Sequence, residues 1–189
     1  DVSENNNTGT IKTSSGFAWE AGKLNGGLHF DGSTQTYIDT ASSIAATDTT
    51  GLSACAWINL GEFGSTENRW ILQQVDGRGT GRTWRAVKPD GSLQSFVGGS
   101  ETAGGSIGLD QWHHVAVTTG NNMVSLYVDG LQVASNSFTI EDNTAGFRIA
   151  NHKNLEISRQ WIGLLDDIRL YTGTLSSDEI RWLADRRTA

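Results

Sequence analysis

Residues 111–130 read QWHHVAVTTGNNMVSLYVDG, and this stretch decides the fold class. Its apolar side chains recur at every second position in two short runs, which is the period of a β-strand with one buried face. Between the runs stands Asn121-Asn122, and asparagine tolerates the positive φ that a two-residue hairpin turn requires. We therefore predict a β-hairpin with strands over 111–119 and 123–129.

The same pattern extends outward from this hairpin over most of the chain. Asp-Gly pairs, which favour tight hairpin turns, begin at Asp31, Asp76, Asp90 and Asp129. Short strands separated by frequent turns predict an all-β fold, an antiparallel β-sandwich. Further candidate strands lie at 27–30, 36–39, 52–60, 69–75, 83–88, 92–97, 131–135, 146–150 and 161–171.

One helix is expected, and it lies near the C-terminal end. Ser176 and Glu179 have the spacing of a capping box and precede the apolar residues Ile180 and Leu183. We predict a short C-terminal helix over 177–186. Its apolar stripe, with Trp182 near it, would pack on the sandwich.

Composition limits the organisation of the chain and its partners. The 189 residues suit one domain, 1–189, and the formal net charge is −7. An acidic chain is poorly suited to binding nucleic acid or an anionic membrane surface, because both are polyanions. No apolar run is long enough for membrane insertion, and the single cysteine, Cys55, cannot form an internal disulfide. The loop-like opening, residues 1–7, leads us to expect a domain excised from a longer protein.

Three segments carry a family resemblance. They are Ala21-Gly22-Lys23 leading into Gly27-Leu28-His29-Phe30-Asp31-Gly32, then Gln111–Thr118 with Leu126–Gly130, and finally Gly163–Tyr171 followed by Leu175-Ser176 and Glu179-Ile180. Together, across 21–183, they resemble the laminin-G-like, or concanavalin A-like lectin/glucanase, superfamily. The resemblance implies a two-sheet jelly roll. Members usually open with a further strand before a loop like residues 1–9, and that strand is missing here.

The resemblance also implies a function. Domains of this kind are often attached to secreted glycoside hydrolases, polysaccharide lyases, sulfatases or adhesins, where they bind glycans and do no chemistry. We therefore expect a carbohydrate-binding module of a secreted, extracellular protein, attached to a catalytic domain, with a polysaccharide or oligosaccharide as its partner. Two alternatives stay open. One is an adhesion or structural spacer domain with a protein partner, and the other is a glycanase or lyase of the same fold.

The sequence offers no clear catalytic residues. Glycan hydrolysis needs two facing carboxylates roughly 5–10 Å apart. The adjacent pairs Glu141-Asp142 and Asp166-Asp167 do not fit, the second because neighbouring strand residues point to opposite faces. Residues 104–108 match a nucleophile-elbow pattern, but we expect neither a strand before them nor a helix after them. We predict that the domain is not an enzyme.

A structural metal is expected from the resemblance. Related jelly rolls place Ca²⁺ at the start of the last strand, held by one aspartate through its side chain and carbonyl, and Asp166 occupies that position. Carboxylate and carbonyl oxygens suit this cation. Asp31 lies in a turn that the resemblance places near the same edge, and it is the second candidate ligand. The alternative is that Asp31 only builds its turn.

Residues 78–88, here called the cationic stretch, are the most unusual segment of the chain. Four basic residues surround Trp84 and no acid interrupts them. Arg78, Arg82 and Arg85 suit bidentate contacts with carboxylate or sulfate groups, and a tryptophan face stacks on a sugar ring. The ligand predicted from these residues is an acidic or sulfated polysaccharide. The alternative is that Trp84 belongs to the core and the arginines to a solvated rim.

Other aromatic and basic residues complete the predictions. Further candidate ligand residues on loops are His152, Arg159 and Trp161, with Arg69, Trp70 and Lys153 beside them. Trp19, Trp57 and Trp112 are assigned to the core or its edges.

Overall fold

A computed structural model describes residues 7–33, 35–40, 50–74, 83–97, 99–138 and 145–186, with the backbone alone for residues 83–85. Within these ranges the chain forms fourteen β-strands, a 3₁₀ turn at Ile157–Arg159 and an α-helix. The strands are β1 (Gly9–Ile11), β2 (Phe17–Ala21), β3 (Gly26–Phe30), β4 (Ile38–Thr40), β5 (Leu52–Leu60), β6 (Arg69–Gln74), β7 (Thr83–Val87), β8 (Leu93–Val97), β9 (Ser100–Gly104), β10 (Trp112–Gly120), β11 (Met123–Val128), β12 (Leu131–Ser137), β13 (Phe147–Ile149) and β14 (Gly163–Thr172).

The described strands form two antiparallel sheets that enclose one apolar core. Sheet A has the order β1-β4-β13-β6-β7-β8-β9, and sheet B has the order β12-β11-β10-β5-β14-β3-β2. This architecture confirms the predicted all-β antiparallel sandwich with a jelly-roll arrangement.

Alternation along β5 shows how the sandwich is filled. The even-numbered residues from Leu52 to Leu60 belong to the core between the sheets. Cys55 belongs instead to a second apolar cluster, on the outer face of sheet B. Because side chains alternate across a strand, this single run serves both faces of the sheet.

The predicted hairpin is confirmed. Val115 pairs with Val128 and Gly120 with Met123, so the strands lie at the expected register. Asn121 and Asn122 have φ values of 52° and 54°, the left-handed conformation that favours asparagine in such turns.

Three strands were absent from the predicted set, and each of them is an edge strand. β1 and β9 are the two edges of sheet A, and β2 is an edge of sheet B. An edge strand has a neighbour on one side only, and β2 is exposed over most of its length. Little burial leaves little apolar alternation for sequence patterns to detect.

The helix α1 spans Ser177–Ala184 and ends two residues earlier than predicted. Ser176 and Glu179 form the expected capping box. Ile180 and Leu183 pack against Cys55 on the outer face of sheet B, whereas Trp182 is exposed and lies outside the apolar stripe. The helices of the described segments are all too short or too polar to span a bilayer.

Two of the three tryptophans assigned to the core or its edges agree with that assignment. Trp57 is buried and Trp112 is half-buried. The third, Trp19, is 71% exposed on the edge strand β2 and is not part of the core. Within the described residues, no further strand pairs with β2 in sheet B, which explains the exposure.

Candidate functional site

The segment between β13 and β14 folds back along the start of β6. The amide of Ala150 donates to the carbonyl of Ile71 at 2.9 Å, and the amide of Trp161 donates to the carbonyl of Ala150 at 2.8 Å. These bonds extend the sheet by two short segments. They bring Arg69 and Trp70 together with His152, Arg159 and Trp161, a group that we call the Arg69 cluster.

Trp161 is fully buried and belongs to the core between the sheets. It precedes β14, in a loop position as predicted, but its indole offers no face to solvent on which a sugar ring could stack. The Ala150–Trp161 hydrogen bond explains the burial, since it pulls the start of the β14 segment over the sandwich.

Trp70 and His152 pack against each other, and both are buried. Their ring centroids are 4.6 Å apart, with an interplanar angle of 60°. Burial lowers the pKa of His152, and the nearby charge of Arg159 lowers it further. The amide of Asn154 donates to Nδ1 of His152 at 3.3 Å, which agrees with a neutral ring that accepts at this nitrogen. His152 therefore supports the loop, as a neutral packing residue.

Arg69 holds this loop to the sheet. Its guanidinium is buried and donates to the carbonyls of Ser158 and Gln160 at 3.3 Å, and to Oε1 of Glu62 at 3.0 Å. A further bond reaches the carbonyl of Phe63 at 3.3 Å. One arginine thus connects the segment after β5 to the segment after β13.

The outer charges of the Arg69 cluster are also paired. Nε of Arg159 lies 2.8 Å from a carboxylate oxygen of Glu67 and 2.9 Å from one of Glu156. With two carboxylates beside it, Arg159 has no excess positive charge to offer an anionic ligand in this arrangement. The structure therefore brings the loop candidates together, but as a framework whose charges compensate one another.

The cationic stretch runs antiparallel beside β6. Arg78 and Arg82 lie outside the described residues, and the side chains of Trp84 and Arg85 are not described. Thr83 pairs with Gln73, Arg85 with Leu72 and Val87 with Arg69, so the backbone of the stretch ends beside Arg69. Arg85 lies about three residues, or roughly 10 Å, from Arg69 along the strands. The cationic stretch and the Arg69 cluster thus adjoin each other along β6 and β7.

A β-bulge lies at Trp84 and Arg85. Thr83 pairs with Phe96 of β8 and Ala86 pairs with Gln94, so these two residues of β7 stand opposite a single residue of β8. The pairing with β6 shifts at the same place. Bulges locally increase strand twist and redirect side chains, and they occur often beside functional sites. Sequence patterns gave no signal for this bulge.

Phe96 is an exposed aromatic residue that pairs with the cationic stretch, and the sequence predictions overlooked it. It pairs with Thr83 on one side and Glu101 on the other, and it is 38% exposed. Leu93 and Val97 of β8 belong to the core, so Phe96 faces outward. Polar Ser95 lies on the buried face, so the sequence of β8 does not alternate and gave no signal for the exposure of Phe96.

Lys88, the last basic residue of the stretch, is already paired. Its Nζ lies 2.9 Å from Oε1 of Glu101, and this hydrogen bond raises the pKa of Lys88. Of the four basic side chains of the stretch, Lys88 is the one that the structure describes, and it is compensated by an acid.

Asp166 has a structural role that the sequence did not reveal. Its Oδ2 accepts a hydrogen bond from the amide of Leu24 at 2.8 Å, and its Oδ1 accepts one from the amide of Asp167 at 2.7 Å. A Cβ on Gly22 would lie 2.6 Å from Oδ2, so only glycine fits at that position without a shift of the turn. The carboxylate thus clamps the turn between β2 and β3, from which Lys23 reaches over the Trp57 ring at 4.7 Å.

Asp31 builds its own turn, as the alternative prediction has it. Its Oδ1 accepts the amide of Ser33 at 2.7 Å, and hydrogen bonds from Ser33 lower the pKa of Asp31. Phe30 pairs with Gly163, so Asp31 lies about four residues, or roughly 13 Å, from Asp166 along β14. The two aspartates do not fit a shared ion, and the described residues hold no group of three or more His, Cys, Asp or Glu side chains suited to a metal. Calcium at Asp166 alone stays a prediction.

The acidic pairs and the elbow-like motif can be placed in part. Asp167 forms ion pairs with Arg169 at 2.8 Å and with Arg186 at 3.0 Å, so its carboxylate connects β14 to the residues that follow α1. Glu141-Asp142 lies outside the described residues. β9 ends at Gly104, so the expectation that no strand precedes the elbow-like motif is wrong, although turns and β10 follow it and not a helix.

Comparison with known proteins adds a family and several folds. The laminin G model described as "Concanavalin A-like lectin/glucanases superfamily" matches residues 30–181. No curated protein matches the chain in sequence.

Solved structures with similar folds include the binding domain of Paraclostridial Mosquitocidal Protein 1, at a TM-score of 0.74 and 16% identity over 98% of this chain and 48% of that one. Domain 4 of AbnA, an extracellular arabinanase from Geobacillus stearothermophilus, was solved with arabinotriose. Its TM-score is 0.73 and its identity 20%, over 97% of this chain and 91% of that one. For Trypanosoma rangeli sialidase the TM-score is 0.68 and the identity 17%, over 93% of this chain and 32% of that one. The chain thus spans about half of the first of these proteins and a third of the last, and at these identities the likeness concerns the fold.

Proposed function

The chain belongs to the concanavalin A-like lectin/glucanases superfamily, and from this premise we propose that it is a non-catalytic module that binds an acidic or sulfated polysaccharide. In this proposal the module is part of a larger secreted protein and carries its ligand to a catalytic domain of the same chain. The fold alone does not select this function, because one fold can host many activities.

The observation that carries the proposal is the bulge at Trp84 and Arg85. It lies in β7, an interior strand of sheet A, and it interrupts the pairing with both neighbouring strands. Such an irregularity inside a sheet weakens the ladder, so it needs a compensating role. In this proposal, a ligand surface that uses Trp84 and Arg85 is the compensating role.

The charge of the cationic stretch sets the class of polysaccharide. A guanidinium donates two parallel hydrogen bonds to a carboxylate or sulfate, whereas a neutral sugar offers no such partner. Trp84 and the exposed ring of Phe96 would add stacking surfaces for the apolar C–H faces of sugar rings.

The solved neighbours support a sugar ligand of some kind. Domain 4 of AbnA was solved with arabinotriose, and it shares the fold over 97% of this chain. The preference for an acidic or sulfated chain rests on residues 78–85 of this protein alone.

Affinity electrophoresis against a panel of neutral, uronic-acid and sulfated polysaccharides tests the proposal. The key variant is Arg82→Ala/Arg85→Ala, and Arg181→Ala is its matched control because Arg181 is an exposed, ion-paired arginine on α1. We expect the double variant to lose at least about tenfold in affinity for an anionic polysaccharide, since each charged hydrogen bond is worth about 1.5–3 kcal/mol. Rising salt should weaken the wild type more than the double variant.

Thermal melts and chromatography are the controls that make the outcome interpretable. Thermal melts must show that the double variant is folded, and Trp84→Ala needs the same measurement because a buried tryptophan would cost stability. Chromatography of each bound polysaccharide reports on cleavage, and new chain ends would favour the glycanase or lyase alternative. A wild type that binds nothing on the panel favours the spacer alternative, and a folded double variant that binds normally moves the site away from residues 78–85.

A further inference from the structure

Trp19 is the most exposed large apolar residue in the described part of the chain. Its side chain is 71% exposed, and residues 18–21 of β2 are all exposed around it. Leu28, its register partner on β3, is buried, and the two side chains lie on the same face of sheet B. The indole of Trp19 therefore lies beyond the edge of the core. A tryptophan is seldom so exposed, because it forfeits a large apolar burial.

A second exposed tryptophan provides a comparison. Trp182 on α1 is 66% exposed, but the guanidinium carbon of Arg186 lies 5.9 Å from its ring centroid. This cation–π contact gives one face of Trp182 a partner within its own helix end. No cation–π or ring contact involves Trp19 within the described residues.

No second exposed ring extends the surface of Trp19. Side chains alternate across a strand, so Glu20 and its ion-pair partner His29 lie on the opposite face of sheet B from Trp19. The described residues of β1–β4 include no other exposed large apolar side chain. One ring offers about 150–250 Å², far less than the roughly 800 Å² per partner that a specific protein interface buries. An occupant matched to this surface is the size of one ring.

We propose that Trp19 is a second sugar-binding position, which stacks on the C–H face of a neutral pyranose or furanose ring. The inference rests on the proposed function, since it assumes a polysaccharide ligand. Stacking on a C–H face needs no charged partner, so a neutral ring suffices here. β2 belongs to sheet B and β7 to sheet A, so this position is separate from the cationic stretch and selects a different kind of sugar unit.

The test uses Trp19→Ala, Trp19→Tyr and, as the matched control, Trp182→Ala. Each is titrated against neutral polysaccharides, namely linear arabinan, xylan and a β-glucan, and against pectate and a sulfated galactan. We expect Trp19→Ala to weaken binding of at least one neutral chain by about 3- to 10-fold, with little dependence on salt. Trp19→Tyr should retain part of the affinity, and Trp182→Ala should leave it unchanged. The melting temperatures of all three should stay close to that of the wild type, because both tryptophans are exposed.

Each other outcome has a defined meaning. If the wild type binds a polysaccharide and Trp19→Ala binds it equally well, the Trp19 position is overturned and the proposed function stands. An equal loss in Trp182→Ala would indicate general aromatic adhesion, and it also overturns the position. A change in sedimentation of Trp19→Ala with unchanged binding would assign the ring to self-association instead. If the wild type binds no polysaccharide at all, the proposed function fails and this inference fails with it.

Discussion

The start of β6 and the cationic stretch beside it combine the same residue types, arginine and tryptophan. In β6, Arg69 and Trp70 are buried and contact other groups of the same protein. In the cationic stretch, Trp84 and Arg85 stand at a bulge of β7, and we propose that they bind a ligand. Arginine beside tryptophan is therefore no sufficient indication of a ligand site. Hydrogen-bond partners and burial decide whether such a pair supports the fold or remains available for binding.

The largest effect in this comparison is expected at Arg69. Arg69→Ala removes hydrogen bonds to two backbone carbonyls of the β13–β14 segment and to Glu62, and it leaves buried acceptors unpaired. We expect the free energy of unfolding to fall by roughly 3 kcal/mol, measured by urea denaturation. Arg181→Ala, at an exposed ion pair, should change it by about 0.5 kcal/mol or less. A loss below about 1 kcal/mol at Arg69 would show that the cluster is not the framework described.

A smaller loss is expected at Asp166, another side chain that serves the fold. Asp166→Ala leaves the amides of Leu24 and Asp167 without their acceptor. The free energy of unfolding should therefore fall by about 1–3 kcal/mol both in calcium and in chelator. Asp31→Ala, at an exposed turn, should cost less.

Unfolding in calcium and in chelator also tests the predicted metal. If Ca²⁺ binds the native state through Asp166, chelation lowers the melting temperature of the wild type, and Asp166→Ala removes the difference. A melting curve that does not respond to chelator, with destabilisation of Asp166→Ala in both media, would leave the turn clamp as the role of this residue.

The pH dependence of stability should separate His152 from exposed histidines. Its pKa in the folded protein is lowered by burial and by Arg159, so below about pH 6.5 the unfolded chain binds more protons at this site. Stability from the neutral ring is thus fully present above the unfolded pKa and declines as pH falls from 6.5 toward the lower folded pKa. Measured by urea denaturation between pH 7 and pH 5, the free energy of unfolding should decline less steeply in His152→Asn than in the wild type. Identical slopes would contradict the burial of a neutral ring.

The smallest effect is expected at Arg159, which shares its charge with Glu67 and Glu156. Arg159→Ala should alter the free energy of unfolding by less than about 1 kcal/mol, because partly exposed ion pairs contribute little. Affinity for an anionic polysaccharide should stay within about twofold of the wild type, in contrast to Arg82→Ala/Arg85→Ala. A tenfold loss of affinity in Arg159→Ala would instead unite the Arg69 cluster and the cationic stretch in one binding surface.

Most of the fold could be predicted from local patterns. The 52–60 strand has the observed bounds, and the 111–130 hairpin has the expected turn, because alternation and asparagine turn chemistry act between near neighbours. β1, β2 and β9 could not be predicted in this way, since edge strands bury too little to impose alternation.

The candidate site could be predicted only in part. The cationic stretch stands out in composition, whereas β8 has a buried serine and an exposed phenylalanine, which its local pattern does not predict. The clamp on the β2–β3 turn joins Leu24 to Asp166 across 142 residues, and a contact at that separation leaves no mark in local sequence.

The sequence by itself determined the period of the strands, the turns between them, the capped helix and the reversal of charge at residues 78–88. Each of these follows from residues within a few positions of one another. The tertiary structure decided which tryptophans are buried, which arginines are paired and where β7 bulges. Trp161 and Trp19 illustrate the difference: one is completely buried and the other is 71% exposed. The physical reason is that burial and charge compensation depend on what packs against a side chain, and in a sandwich the packing partner comes from a distant strand or from no strand at all.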